Sequence, residues 1–97
     1  MNDCPKQIDD SRVLFWAFVA QAVVPTGNTT HRVGEQVAGP CAGLAICTFD
    51  NDPGFYLFYC DERWQPATDT WHQTLDDAKA QAAFEYSGIE DHWREAV

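Results

Sequence analysis

Apolar positions in this chain fall into blocks separated by polar, turn-rich stretches. The first block, RVLFWAFVAQAVVP at 12–25, is rich in β-branched and aromatic residues and is apolar at odd and even positions alike. That pattern predicts a strand covered on both faces and ended by Pro25. A helix is the alternative over the same span, because Ala17, Ala20 and Ala22 dilute the β signal. CAGLAICTFD at 41–50 and FYLFYCDE at 55–62 flank NDPG, in which proline presets φ and glycine permits φ > 0. The pair predicts a β-hairpin. A turn centred on Asp52–Pro53 sets Cys47 opposite Phe58 and Ala45 opposite Cys60. Both thiols then share a face without facing each other, so a disulfide between them is not expected.

RWQPAT at 63–68 predicts a second turn, and TDTWH a short strand after it. In TLDDAKAQAAFEYSG, Thr74 is a good N-cap, with Asp77 three residues on in the place of the usual capping-box Glu or Gln. Asp76 and Asp77 suit the positive end of the helix dipole, and Gly88 sits where a helix commonly stops. Leu75, Ala78, Ala82, Tyr86 and Ile89 recur at helical spacing and predict the buried stripe. The tail IEDHWREAV predicts a short helical turn with Trp93 packing back. Residues 1–11 read as a loose polar lead-in. PTGNTTHRVGEQVAGP at 25–40 reads as a long loop with a short strand at its middle and His31 and Arg32 at its centre, a length often tied to function. The expected architecture is α+β: a small antiparallel sheet of three to four strands with a C-terminal α-helix packed on one face, residues 1–11 flexible and 12–97 a single domain.

Charge narrows the function classes. Fifteen Asp and Glu against six Lys and Arg give a formal net charge of −9. Nucleic acid and anionic membrane surfaces need the opposite sign and are disfavoured. A basic protein partner is favoured, since opposite fields speed encounter. Cys4, Cys41, Cys47 and Cys60 lack any CxxC spacing, and MNDCPKQIDD has no apolar signal-like segment, so four free thiols in a cytoplasmic setting are expected. The longest apolar run, VLFWAFVA at 13–20, is too short to span a bilayer.

Candidate chemistry is sparse. TDTWHQTLDD at 68–77 sets His72 among Asp69, Asp76 and Asp77. Strand parity sends Asp69 and Trp71 to the face opposite His72, while Asp76 and Asp77 belong to the first helical turn, so this is a strand-to-helix junction and not an acid/base pair. His31, His72 and His92 are far apart and the cysteines lack ligand spacing, so no metal or other cofactor is expected. No nucleophile motif occurs, and no catalytic residue is assigned. CDERWQP places Asp61, Glu62, Arg63 and Trp64 at a turn, the composition of a partner-binding surface. A pocket beside the 25–40 loop is the alternative site, with His31, Cys41, Cys60 and His72 as its candidates.

From GFYLFYCDERWQPATDTWHQTLDDAKAQAAFEYSGI, 54–89, the chain resembles a largely uncharacterised group of small acidic bacterial proteins sharing TDTWH-x-TL followed by AKAQAxFEY-x-G. By analogy, small acidic proteins of this kind include immunity proteins that neutralise toxins. The resemblance implies no catalytic residues. Three expectations therefore stand: a non-enzymatic module that binds a basic protein, of which toxin neutralisation is the sharpest version; a small-molecule-binding domain or minor enzyme; and a structural homodimer.

Overall fold

In the computed structural model, residues 1–20 and 23–96 are described. Gln21 and Ala22 of the expected 12–25 strand, and Val97 of the tail, lie outside that set. Ten strands are described: β1 (Gln7–Ile8), β2 (Ser11–Phe18), β3 (Val24–Pro25), β4 (Arg32–Val33), β5 (Gln36–Val37), β6 (Gly43–Thr48), β7 (Phe55–Cys60), β8 (Pro66–His72), β9 (Tyr86–Ser87) and β10 (Arg94–Glu95). One α-helix, α1 (Leu75–Glu85), follows β8, and a 3-10 turn, Ile89–Asp91, follows β9.

The principal sheet is antiparallel, runs β1-β2-β6-β7-β8 and curls into a half-barrel. β10 also pairs with β2, so β1 and β10 share the outer edge of β2: β1 takes Ser11 and Arg12, β10 takes Phe15 and Trp16. β3 pairs with β9, and β4 with β5, as two small separate sheets. The fold is thus mostly β, with ten strands in three sheets and one short helix. This overturns the expected α+β arrangement of three to four strands with a packed helix. Six of the strands are two residues long, too short to show any periodicity in sequence.

Each face of the main sheet carries its own apolar cluster. Leu44 and Ile46 of β6 and Leu57 and Tyr59 of β7 pack with Ala78 and Ala82 of α1 and with Ile89. The alternate residues Ala45, Cys47, Phe58 and Cys60 pack on the other face with Ile8, Trp16 and Trp64. β2 contributes to both faces through a bulge at Leu14: Val13 pairs with Cys47, but Phe15 pairs with Ile46. The extra residue swaps faces, so Val13 and Trp16 share one cluster while Ala17 lies in the other. This is why the segment shows no clean alternation. β2 is a strand covered on both sides as expected, but it ends at Phe18.

The β6–β7 hairpin forms in a different register from the expected one. Cys47 pairs with Tyr56, Ala45 with Phe58, and Gly43 with Cys60. The turn sits earlier, because the Asp52 amide donates to the Phe49 carbonyl and the Asp52 carboxylate accepts from the Gly54 amide. Parity is preserved, so Cys47 and Cys60 do share a face, and all four cysteines are free. Part of the 1–11 segment pairs with the sheet. Asp9 and Asp10 both have positive φ, as a two-residue type I′ hairpin turn requires, and they fold β1 back on β2 with Ile8 buried.

Thr74 caps α1 as expected, accepting from the Asp77 amide at 3.0 Å. The helix stops at Glu85, before Gly88, because Tyr86 turns extended to pair with β3. Gly88, at φ 94°, instead opens the 3-10 turn.

Gly43 lets the Trp64 ring lie flat on β6. A Cβ there would stand 2.5 Å from Trp64 Cζ3, and the ring is itself wedged against Trp16 and Phe18. Gly43→Ala is expected to destabilise the fold by about 1–3 kcal/mol, measured by urea unfolding; an unchanged midpoint would contradict this packing.

Candidate functional site

The 25–40 segment is tied to the end of α1, whose last carbonyls have no partners within the helix. The Thr26 hydroxyl donates to the Phe84 carbonyl at 2.7 Å, the Asn28 side-chain amide to the same carbonyl at 2.9 Å, and the Thr26 amide to the Glu85 carbonyl at 2.9 Å. The β4–β5 hairpin then closes on itself, with the Ala38 amide donating to the His31 carbonyl at 2.7 Å. These bonds deliver the His31 side chain to the sheet face that α1 covers.

There His31 meets Glu85, which is only 5% exposed. His31 Nε2 lies 2.5 Å from Glu85 Oε1. The other carboxylate oxygen accepts from the Tyr59 hydroxyl and, at 3.0 Å, from Gln81 Nε2. A buried carboxylate is tolerable only when its lone pairs are used, and here three side chains use them. On its other edge, His31 Nδ1 shares a hydrogen bond with Thr68 Oγ1 at 2.9 Å. The imidazole also lies against the Tyr59 ring, centroids 4.1 Å apart. The Tyr59 hydroxyl also lies 3.4 Å from Thr70 Oγ1, which shares a hydrogen bond with His72 Nε2 at 2.7 Å. Among the described residues, no buried side-chain nitrogen or oxygen lacks a partner.

Beside this network opens a cleft of about 260 Å³, walled by His31, Cys41, Tyr59, Cys60, Thr68 and Tyr86, with Asp61 and Glu62 also lining it. No Lys or Arg is among its lining residues. Burial holds the Cys41 and Cys60 thiols above their usual range. It also raises the phenols of Tyr59, reinforced by the bond to Glu85, and of Tyr86, reinforced by the bond to Cys41. Thiols and phenols in the cleft are therefore protonated near neutral pH, which suits hydrogen bonding and apolar contact more than nucleophilic attack. Cys4 and Cys47, outside it, are raised by burial to about 12. Among the described residues, no group of three or more His, Cys, Asp and Glu is placed to hold a metal ion. No helix among them is long and apolar enough to cross a membrane.

Two sets of residues singled out in the sequence thus converge. His31, Cys41 and Cys60 line one cleft together with Asp61 and Glu62. His72 does not line it and joins only through the Thr70 hydrogen bond. Arg63 is exposed outside the cleft. Trp64 has to be corrected: it is 4% exposed, stacks edge-on against Trp16 and donates Nε1 to the Asn2 carbonyl, so no partner can reach it. The cause is local. The Asp61 carboxylate accepts from the Arg63 and Gln65 amides, and Trp64 takes φ 61°, which folds its ring under the turn. Tyr59, Thr68, Glu85 and Tyr86 were not singled out as site residues. Glu85 carried a usable signal: it stands at helical spacing from Ala78 and Ala82, a carboxylate on the buried stripe.

Two outcomes follow from this geometry. Glu85→Ala leaves the Tyr59 hydroxyl and the His31 ring without their acceptor. It is expected to cost about 1–3 kcal/mol in urea unfolding and to speed amide exchange across 31–41; unchanged exchange there would show that Glu85 does not hold the segment. Burial lowers the His72 pKa, against a smaller opposing pull from Asp77 and Glu85. The unfolded chain therefore takes up this proton first as pH falls below the ordinary histidine value of 6.5. Stability linked to neutral His72 is complete above that value and is lost towards the lower folded value. Thermal midpoints should fall from about pH 7.5 to about pH 5.5, and His72→Gln should flatten that slope; a variant with the wild-type slope would exclude His72 as its source. Compared with family models, with curated proteins and with solved structures, the chain has no match.

Proposed function

We propose that this protein is a non-enzymatic binding module that receives a cationic group, a Lys or Arg side chain of a basic protein partner, in the cleft beside His31. The carrying observation is the make-up of the cleft: Asp61 and Glu62 line it with His31, Tyr59 and Thr68, and no Lys or Arg does. A net charge of −9 supports the same sign of partner. The protonated thiols and phenols support binding over catalysis. Neutralisation of a basic toxin is the sharpest form of this reading.

A second reading, binding of a small molecule, draws on the pre-built wall of the cleft, where His31 and Tyr59 lie ring to ring with their polar atoms already satisfied. A saturable thermal shift with a small amine would favour it.

The first reading is tested by passing a bacterial lysate over the immobilised protein at low and high salt, beside an Asp61→Lys, Glu62→Lys double variant. A basic protein is expected to be retained at low salt, released at high salt, and held at least about tenfold less well by the variant. No retention at low salt, or equal retention by the variant, overturns the assignment.

A further inference from the structure

The two edges of the main sheet are treated differently. The β2 edge is covered over much of its length by β1 and β10. The β8 edge pairs with no further strand among the described residues. The β4–β5 hairpin reaches β8 through the Thr68–His31 hydrogen bond without joining its ladder. Free edges invite other chains, and proteins usually blunt them with lysines, prolines or bulges. In β8, PATDTWH, the proline and the bulge sit at its start, at Pro66 and Ala67, there is no lysine, and the one acidic side chain is Asp69.

The side chains along this edge carry a consistent chemistry. Asp69 and Trp71 project from the same face of β8 and both are exposed, Trp71 by 50%. The Trp71 ring rests on Gly54, where a Cβ would stand 2.1 Å from Nε1. That Nε1 donates to Asp52 Oδ1 at 3.2 Å, and the Tyr56 hydroxyl donates to Asp52 Oδ2 at 2.7 Å. A carboxylate is therefore fixed between two aromatic rings, one of them half open to solvent. These donors also hold the Asp52 carboxyl below its usual range, Tyr56 foremost, so it remains ionised near neutral pH. Trp71 is thus placed without cost of ordering, which is what distinguishes an anchor from a loose surface aromatic.

We propose that the β8 edge is a docking site for an extended, basic segment of a partner protein, which adds to the sheet as a further strand and sets a Lys or Arg over Trp71 beside Asp52 and Asp69. Backbone pairing supplies the affinity of such an arrangement and alternate side chains supply its selectivity. A cation over an indole face next to a carboxylate is favoured by both groups. The charge also selects against a second copy of this chain: two β8 edges brought together would juxtapose Asp69 residues on molecules of net charge −9. β8 meets the His31 cleft at Ala67 and Thr68, whereas Trp71, Asp52 and Asp69 do not line it, so the Trp71 and the Asp61 and Glu62 variants tell the two sites apart.

The experiment titrates the full chain with a short capped peptide of alternating Lys and Val, following affinity by calorimetry and location by amide exchange. The expected result is saturable binding at low salt with protection of residues 66–72. Affinity should fall at least about tenfold with Trp71→Ala, with Asp52→Asn plus Asp69→Asn, and with the same peptide N-methylated at alternate amides. Glu90→Lys, a surface charge change elsewhere, should leave it unaltered. Absence of binding at low salt overturns the proposal. So does equal binding of the N-methylated peptide, protection confined to residues 31–41, or self-association through β8 without peptide.

Discussion

The Glu85 carboxylate is the constraint on which much of this structure rests. It is the last residue of α1, and it is buried where helix, sheet and the 25–40 segment meet. Its three donors come from three different parts of the chain: His31 from the segment, Tyr59 from β7 and Gln81 from the helix itself. A charge taken out of water makes unpaired alternatives expensive, so the network specifies one arrangement of these parts where apolar contact alone would permit several. The cleft is a consequence. Its wall is the outer surface of that network, and its shape follows from where His31 is held.

The division of labour between the sheet faces supports this. Apolar packing on one side, under Trp16, Trp64 and Phe58, rigidifies β6 and β7 and reaches the cleft through Cys60 alone of that cluster's buried residues. On the other side, Tyr59 belongs at once to the core cluster and to the Glu85 network. A residue with both memberships couples the cleft to the core, so a group entering beside His31 meets a surface that has little freedom to rearrange. That suits selective recognition of one kind of group more than adaptable binding of many.

Sequence pattern carried the parts of the fold that are long or locally determined. The capped start of α1, the β6–β7 hairpin and the two-sided burial of β2 each have a signal within a few residues, and each is present. The expected α+β architecture was wrong because β1, β3, β4, β5, β9 and β10 are too short to announce themselves, and they owe their existence to tertiary contacts. The hairpin register slipped because an aspartate side chain, not the proline, sets the turn. Trp64 was misplaced because a left-handed residue other than glycine leaves no mark in sequence. The site was half legible: loop length and residue type drew attention to His31, Cys41 and Cys60. The polar partners that give His31 its setting, Glu85 above all, look like ordinary helix and strand residues until the fold brings them 54 positions together.

The bulge at Leu14 has a further implication. It works as a phase shifter: one surplus residue exchanges inside for outside along the rest of β2. The strand is therefore read in two frames, with Val13 in the first and Phe15 to Phe18 in the second. Losing Leu14 itself would leave a regular ladder, with Val13 still opposite Cys47 and Phe15 still opposite Ile46, whereas pairing Leu14 into the ladder would turn every large ring after it to the wrong face. In β2 the ladder fixes the partners on each side of Leu14, and Leu14 is the one residue between them that it does not count.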